Sequence, residues 1–140
     1  MLLIDLNECP CSGKNISTLV APWILLTLYQ HEASHGYEIQ KIILSQLQEL
    51  GFGLNASGLY RHLNILEKRG VLTSTWDTSA SGPARRRYAL TEAGGECLWR
   101  WINTLSSQVT VIGKFMDEAQ RVFSNSVLPK VILASKQPLA

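Results

Sequence analysis

The chain has 140 residues, enough for one compact domain and one appended element. Its apolar residues (46%) can build a core, and only 17% of residues are charged, which excludes a disordered or strongly charged chain. The net charge of +2 is unevenly spread: residues 55–91 hold six basic and two acidic side chains, and the remainder holds seven basic and nine acidic ones. This asymmetry is typical of a protein with one face that meets a polyanion.

The sequence carries no sign of export or of membrane insertion. The N-terminal residues include Asp5 and Glu8 and lack the basic start of a secretory signal. The longest apolar run, residues 19–29, contains Pro22 and Thr27 and is too short to cross a bilayer. Three cysteines are too few for a disulfide framework and cannot all pair within one chain. We therefore expect a reduced, cytoplasmic protein that does not contact a membrane.

The first third of the chain predicts an arm and two helices. Residues 1–17 form an irregular arm around the turn-forming sequence Cys-Pro-Cys-Ser-Gly. Ser17 or Thr18 can cap a first helix that ends near Gln30, with its apolar stripe at Leu19, Trp23, Ile24 and Leu28. A second helix is predicted to begin within residues 34–36 and to end at the Gly-Phe-Gly sequence of residues 51–53, burying Ile39, Ile42, Ile43 and Leu47.

A third helix with two contrasting faces is predicted next. It begins after Asn55 or Ser57 and ends at Gly70, since glycine suits the position just past a helix C-terminus. One face is apolar and consists of Leu59, Leu63 and Leu66. The opposite face is polar and basic and consists of Tyr60, Arg61, Asn64 and Lys68.

Two short strands follow the third helix. Residues 71–76 and 86–90 have strand composition, and the polar stretch between them, residues 77–84, contains the Gly-Pro pair of a turn. The hairpin carries three consecutive arginines. Because side chains alternate along a strand, Arg85 and Arg87 are expected on one side and Arg86 on the other.

A long helix is predicted from Glu92, with Thr91 as its N-cap. Apolar residues recur in steps of four and three, at Leu98, Ile102, Leu105, Val109, Ile112, Met116, Ala119 and Phe123. This heptad stripe predicts a partner helix, and hence a homodimer through the C-terminal helix. The tail, residues 126–140, contains Pro129 and Pro138 and yields no structural prediction.

Three helices followed by a hairpin is the order of a winged helix-turn-helix, in which the third helix enters the major groove of DNA. The predicted fold is therefore mainly α with a small β-hairpin, a winged helix-turn-helix plus a long C-terminal dimerisation helix. We assign residues 1–17 to the arm, 18–91 to the DNA-binding domain, 92–125 to the dimerisation helix and 126–140 to the tail. The expected partner is double-stranded DNA with a palindromic operator.

The predicted DNA contacts divide into two kinds. Tyr60, Arg61 and Asn64 are candidates for base contacts, because they lie on the exposed face of the third helix. Candidates for contacts with phosphates are basic or hydroxyl-bearing side chains that flank this face. They are Lys68, Arg85, Arg86 and Arg87, with Ser57 in the first turn of the third helix and Tyr37 and Lys41 on the second helix as weaker candidates.

Three motifs resemble those of the PadR family of transcriptional regulators and occur in the same order. Residues 35–39 match its HGYEI signature, residues 59–70 are similar to its LYxxLxxLExxG pattern, and residues 81–94 to its GPxRRxYxLTxxG pattern. The family's usual SPGTLY start of the third helix is NASGLY here, at residues 55–60. The resemblance covers about residues 19–105. It implies a dimeric DNA-binding repressor, often one that responds to a small molecule.

Two alternative functions compete with DNA binding as interpretations of the sequence. A winged helix can use the same face to bind a protein instead of DNA. Residues 31–35 also spell His31-Glu32-x-x-His35, the pattern of zinc hydrolases, which requires both histidines on one uninterrupted helix and a third ligand. Here the segment falls between two predicted helices, and no nucleophile elbow, P-loop or dinucleotide glycine pattern occurs. We therefore expect no enzymatic activity.

Two further residue sets are candidates for sensing a signal. Cys9 and Cys11 could share a soft metal ion, or a redox change, with Cys97 across a dimer interface; otherwise they are an incidental pair and a buried structural cysteine. Trp23, Trp99 and Trp101 could enclose a flat apolar effector, or could simply form interface core. No cofactor is expected to be required for folding.

Overall fold

The computed structural model describes residues 5–12, 19–51, 53–79 and 81–124. Two short 3-10 turns, Leu6–Glu8 and Pro10–Ser12, are followed by helix α1 (Val20–Gln30), strand β1 (Ser34–His35) and helix α2 (Gly36–Leu47). A 3-10 turn at Gln48–Leu50 leads to helix α3 (Ala56–Lys68), strands β2 (Leu72–Asp77) and β3 (Arg85–Leu90), and the long helix α4 (Glu92–Val122). The predicted mainly helical winged fold is confirmed. No helix within these described ranges is both long and apolar enough to cross a membrane.

Helix α1 begins differently from the prediction and ends as predicted. Ser17 and Thr18 lie outside the described residues, and the residue at the cap position is Leu19, with φ at 58° and no side-chain cap. Pro22 lies in the first turn, where the missing N–H costs no helical hydrogen bond. The predicted caps thus lie outside the described part of the chain, whereas the predicted end at Gln30 is confirmed.

Helix α3 has the boundaries that its sequence predicts. The side chain of Asn55 accepts a hydrogen bond from the Gly58 N–H at 2.6 Å, which makes Asn55 the N-cap. Gly70 follows the last turn with φ at 81°, a conformation that L side chains rarely adopt. Leu59, Leu63 and Leu66 are buried as predicted.

The sheet has three antiparallel strands in the order β1-β3-β2. Strands β2 and β3 form the predicted hairpin, with bounds shifted by one residue, and Ser74 lies opposite Tyr88. Strand β1 was not predicted, because two residues are too short to show an alternating pattern. It pairs Ser34 with Tyr88 and His35 with Arg87, so the segment before α2 is joined directly to the hairpin.

The core lies between α1, α2, α3, the sheet and the start of α4. The fully buried large side chains come from all three short helices and from β2; they are Ile24, Leu25, Ile39, Ile43, Leu59, Leu63 and Leu72. Ile42 and Leu47, predicted to be buried, are half-buried. Leu98 of α4 is only 7% exposed and belongs to this core.

The start of α4 is packed closely against the hairpin. The Thr91 hydroxyl accepts the Gly94 N–H at 3.1 Å and donates to the Gly70 carbonyl at 2.7 Å, which confirms Thr91 as the cap. A Cβ on Gly94 would overlap the Val71 carbonyl oxygen and lie 2.7 Å from Cδ1 of Leu90. Glycine is therefore required for this approach, which explains the last glycine of the GPxRRxYxLTxxG pattern.

The chain divides into two compact units within α4. The first unit ends at Trp101, so the folded domain includes the N-terminal part of α4 as well as residues up to Thr91. The second unit starts at Ile102. Its described part is helical to Val122, and several of its apolar side chains are exposed: Ile102, Val109, Val111, Ile112, Phe115, Val122 and Phe123.

Candidate nucleic-acid interface

The face of α3 opposite its leucines is open to solvent. Arg61, Asn64 and Lys68 are exposed, and Ser57 is exposed in the first turn. Among the described residues, none of these side chains forms an ion pair with an acidic group. This face therefore presents hydrogen-bond donors and positive charge that the rest of the described chain does not neutralise.

Tyr60 has a packing contact that its sequence position did not indicate. Its ring lies against the start of α2: a Cβ on Gly36 would be 2.6 Å from the ring atoms of Tyr60. The side chain is still 41% exposed. Tyr60 thus joins α3 to α2, and Gly36 of the HGYEI motif leaves room for its ring.

Arg86 is bound within the chain. Strands β2 and β3 with the turn between them form the wing, residues 72–90. On one side of the wing, the Arg86 guanidinium contacts the Glu67 carboxylate of α3 at 3.2 Å and lies 5.1 Å from the ring centre of Trp76. Glu67 also accepts a hydrogen bond from the Ser74 hydroxyl. Arg86 therefore joins the wing to α3, and Glu67 partly neutralises its charge.

Arg85 and Arg87 lie on the opposite side of the strand from Arg86, as the alternation predicts. Both are exposed, and no ion pair involves either of them within the described residues. The Arg85 guanidinium is 5.4 Å from the ring centre of Tyr37, which is exposed on α2. Lys41, one turn further along α2, is also exposed. The second helix and this side of the wing thus form one basic region.

His35, the first residue of the HGYEI motif, connects α2 to the wing, a structural role that the sequence analysis does not predict. His35 Nδ1 is 2.7 Å from Oε1 of Glu38, and His35 Nε2 is 3.0 Å from Oδ2 of Asp77 at the end of β2. The His35 backbone N–H also donates to the Glu38 carboxylate at 2.9 Å, so Glu38 is bound to His35 through both its backbone and its ring. The available signals were the His and Glu of HGYEI and an Asp at the edge of the turn.

Hydrogen bonds keep both carboxylates ionised. The backbone N–H of His35 lowers the pKa of Glu38. The hydroxyl and the N–H of Ser79 lower the pKa of Asp77 to about 2, and His35 and Arg87 act in the same direction. Two acidic groups thus remain charged beside one imidazole near neutral pH.

The zinc-hydrolase alternative does not fit this geometry. His31 follows the last residue of α1, whereas His35 is in β1, so the two histidines do not share a helix. Both ring nitrogens of His35 already face carboxylates. Within the described ranges, no group of three or more His, Cys, Asp or Glu side chains is arranged to hold a metal ion.

The cysteines predicted to form an interface site lie in different surroundings. Cys9 and Cys11 are in the arm, where the Cys11 N–H contacts Cys9 Sγ at 3.5 Å and lowers the pKa of the Cys9 thiol. A hydrogen bond with Cys9 raises the pKa of Cys11. Cys97 is half-buried against the core. A shared thiolate site would need a second copy of the chain, and it stays a prediction.

The three tryptophans have different surroundings in the described part of the chain. Trp101 borders a cavity of about 260 Å³ whose other walls come from the start of α1 and from α3, including His62 and Arg69. Trp23 lines a much smaller void between α1 and α2. Trp99 is 66% exposed. An effector pocket of Trp23, Trp99 and Trp101 at a dimer interface stays a prediction.

Comparison with known proteins identifies the family. The model of the "Transcriptional regulator PadR-like family" matches residues 24–100, which include α2, α3 and the wing. The chain belongs to the PadR-like family. The family model describes transcriptional regulators, so the prediction of a non-enzymatic regulator is confirmed. No curated protein matches the sequence.

Solved structures agree with this assignment. A transcriptional regulator from Clostridium thermocellum is 28% identical over 71% of this chain and 97% of its own, with a TM-score of 0.63. A PadR family regulator from Eggerthella lenta is 28% identical over 66% of this chain and 80% of its own, with a TM-score of 0.55. Bacillus subtilis PadR in complex with operator DNA is 21% identical over 60% of this chain, with a TM-score of 0.53. The match covers 46% of that protein, and it supports the fold alone.

Proposed function

We propose that this PadR-like protein is a homodimeric repressor that binds a two-fold symmetric site in duplex DNA. The open face of α3 carries this proposal, because Arg61, Asn64 and Lys68 are exposed and neither Arg61 nor Lys68 forms an ion pair within the described residues. In a winged helix this face enters the major groove, and the wing follows the backbone. Bacillus subtilis PadR shares this fold and is solved in complex with operator DNA, and we extend DNA binding to this chain by analogy.

The contacts within the chain favour a division of roles among the predicted DNA-binding residues. Arg61 and Asn64 are proposed to read bases, because both side chains can make paired hydrogen bonds to base edges. Arg85, Arg87, Lys68 and Lys41 are proposed to bind phosphates. Arg86 and Tyr60 are proposed to act mainly by holding the wing and α2 against α3, since both already have partners in the chain.

The exposed apolar side chains of the second unit support a homodimer. Val109 and Ile112 are each 58% exposed in the single chain and lie on the predicted heptad stripe. A helix with such a stripe is stabilised when a second helix covers it. A second copy of the chain supplies an identical stripe, and a two-fold dimer presents two α3 helices to a palindromic site.

The first test is the dependence of DNA binding on salt. Fluorescence anisotropy of a labelled duplex of about 30 base pairs and random sequence would be measured from about 50 to 200 mM salt. We expect the affinity to fall at least about 100-fold over this range, because bound phosphates release counterions. No salt-sensitive binding at any concentration would contradict the proposal and favour the alternative of a winged helix that binds a protein.

The cavity beside Trp101 supports a response to a small molecule. Its volume of about 260 Å³ is close to the lower limit for small-ligand pockets, and its walls are mostly apolar with His62 and Arg69 at the edge. A planar ligand bound there is expected to quench tryptophan fluorescence. Trp101→Phe should remove most of this quenching, and Trp99→Phe, at a residue outside the cavity, should retain it. Equal quenching in both variants would place the ligand elsewhere.

A further inference from the structure

His35 is the point at which four elements of the domain meet. It lies in β1, pairs in register with Arg87 of β3, and places its two ring nitrogens against Glu38 of α2 and Asp77 of β2. Its ring also stacks on Tyr37, with centroids 5.8 Å apart and planes 9° apart. Tyr37 in turn lies under the Arg85 guanidinium. A single side chain therefore links α2 to both strands of the wing.

The two carboxylates select one protonation state of the ring for this arrangement. A neutral imidazole carries one N–H and can donate to only one carboxylate, so its other nitrogen would direct a lone pair at an ionised oxygen. The imidazolium donates from both nitrogens. Glu38 and Asp77 stay ionised because their pKa values are lowered, so the interaction changes only when the ring itself loses a proton.

Loss of the ring proton affects the wing more than it affects α2. Glu38 is also held by the His35 backbone N–H at 2.9 Å, which does not titrate. Within the described residues, the other hydrogen bonds of Asp77 come from Ser79 in the turn of the wing and do not reach α2. The contact of Nε2 with Asp77 is thus the side-chain link between the start of α2 and β2, and deprotonation of the ring weakens it because the contact loses its positive charge.

We infer that His35 is a positioning residue for DNA binding: its imidazolium holds the base of the wing against α2, so that Arg85 and Arg87 meet the backbone while α3 is in the groove. This inference rests on the proposed function. The charged and titratable groups around the ring are Glu38 on α2, Asp77 on β2, Arg87 and Arg85 on β3, and Tyr37. Because the protonated ring makes both contacts, we expect DNA affinity to be higher at about pH 5 than at about pH 8, a range chosen because it brackets histidine protonation in general.

The test measures DNA affinity by anisotropy across that pH range at constant ionic strength. For the unmodified protein we expect affinity to fall about five- to tenfold between the two ends, as one charge-assisted hydrogen bond is lost. His35→Gln cannot titrate and should abolish this dependence. His31→Gln and His62→Gln are the matched controls, and both should keep it. An equal pH dependence in the unmodified protein and in His35→Gln would overturn the inference.

A second variant, Asp77→Asn, tests the inference even if His35→Gln does not fold. In Asp77→Asn the amide oxygen can accept from an Nε2–H, and the amide NH₂ can donate to an unprotonated Nε2. This variant should therefore keep its affinity at high pH and lose the pH dependence. An unchanged pH dependence in Asp77→Asn would also overturn the inference. Absence of DNA binding at every pH would contradict the proposed function itself, and so the two failures are distinguishable.

Discussion

The two parts of α4 share one apolar stripe, but the stripe is buried in the first part and exposed in the second. Leu98, in the first unit, is 7% exposed and packs into the core of the winged helix. Val109, further along the same stripe in the second unit, is 58% exposed. The spacing of apolar residues thus indicates which helix face must be covered, but not whether the same chain or another copy covers it.

The largest effect is expected on dimer dissociation, at the part of the stripe that stays exposed in the described chain. Val109→Asp should raise the dimer dissociation constant at least about 100-fold, because a dimer would bury two unpaired carboxylates at a cost of several kcal/mol. Sedimentation equilibrium measures this change. The first unit should remain folded in circular dichroism, since Val109 is outside it.

Ser107→Asp provides the control for this substitution. Ser107 is exposed and lies on the opposite side of the helix from the stripe, so the same charge there should leave the dissociation constant within about threefold. Equal dissociation in both variants would show that charge, and not the apolar stripe, decides assembly.

The next largest effect is expected on the stability of the domain, at the N-terminal part of α4 that packs against the hairpin. Gly94→Ala should destabilise the domain by about 2–3 kcal/mol, because its Cβ would overlap the Val71 carbonyl oxygen. Gly95→Ala, where nothing lies within 4 Å of the added atom, should stabilise it by roughly 0.5–1 kcal/mol. Urea unfolding of the two variants checks both signs. Equal stability of the two would contradict the close packing of α4 against the hairpin.

Local sequence rules predicted most of the winged helix because its elements are specified by nearby residues. The cap at Asn55, the stop at Gly70 and the leucine face of α3 depend on positions within one helix. Strand β1, the contact of Tyr60 with Gly36 and the pairing of Arg86 with Glu67 join residues 19 to 54 positions apart, and no periodicity reports such contacts. The same limit applies to His35, whose partner Asp77 is 42 residues away.

Within the proposed DNA interface, the next largest effect is expected on the face of α3 that is proposed to read bases. Arg61→Ala and Asn64→Ala should each reduce discrimination between the preferred and altered base pairs by about 2 kcal/mol, or roughly 30-fold. Competition between single-base variants of the preferred duplex measures this loss. If either variant weakens binding to all duplexes equally, its side chain contacts the backbone and not a base.

The smallest effects separate the arginines of the wing. Arg85→Gln and Arg87→Gln should each weaken binding to every sequence about fivefold and reduce the slope of log affinity against log salt by about 0.9 per lost phosphate contact in each chain. Arg86→Gln should change the salt slope less, because Glu67 already partly neutralises this charge. Arg100→Gln, which removes an exposed arginine paired with Glu96, is the control.

Equal salt slopes for the Arg85, Arg86 and Arg87 variants would contradict the division of roles within the wing. Arg86→Gln is instead expected to lower the melting temperature by a few degrees, since it loses the contacts with Glu67 and Trp76. Thermal unfolding of the three variants, measured without DNA, would distinguish the stabilising role of Arg86 from the roles of Arg85 and Arg87.

Selection of duplexes from a random library tests most directly that two copies of this chain read DNA together through α3. The selected sequences are expected to form an inverted repeat, with half-sites about one helical turn, or 10 base pairs, apart from centre to centre. Val109→Asp should lose the repeat and retain at most a single half-site. Selection of no common sequence, or of an asymmetric site that Val109→Asp selects equally well, would contradict the proposed dimeric reader.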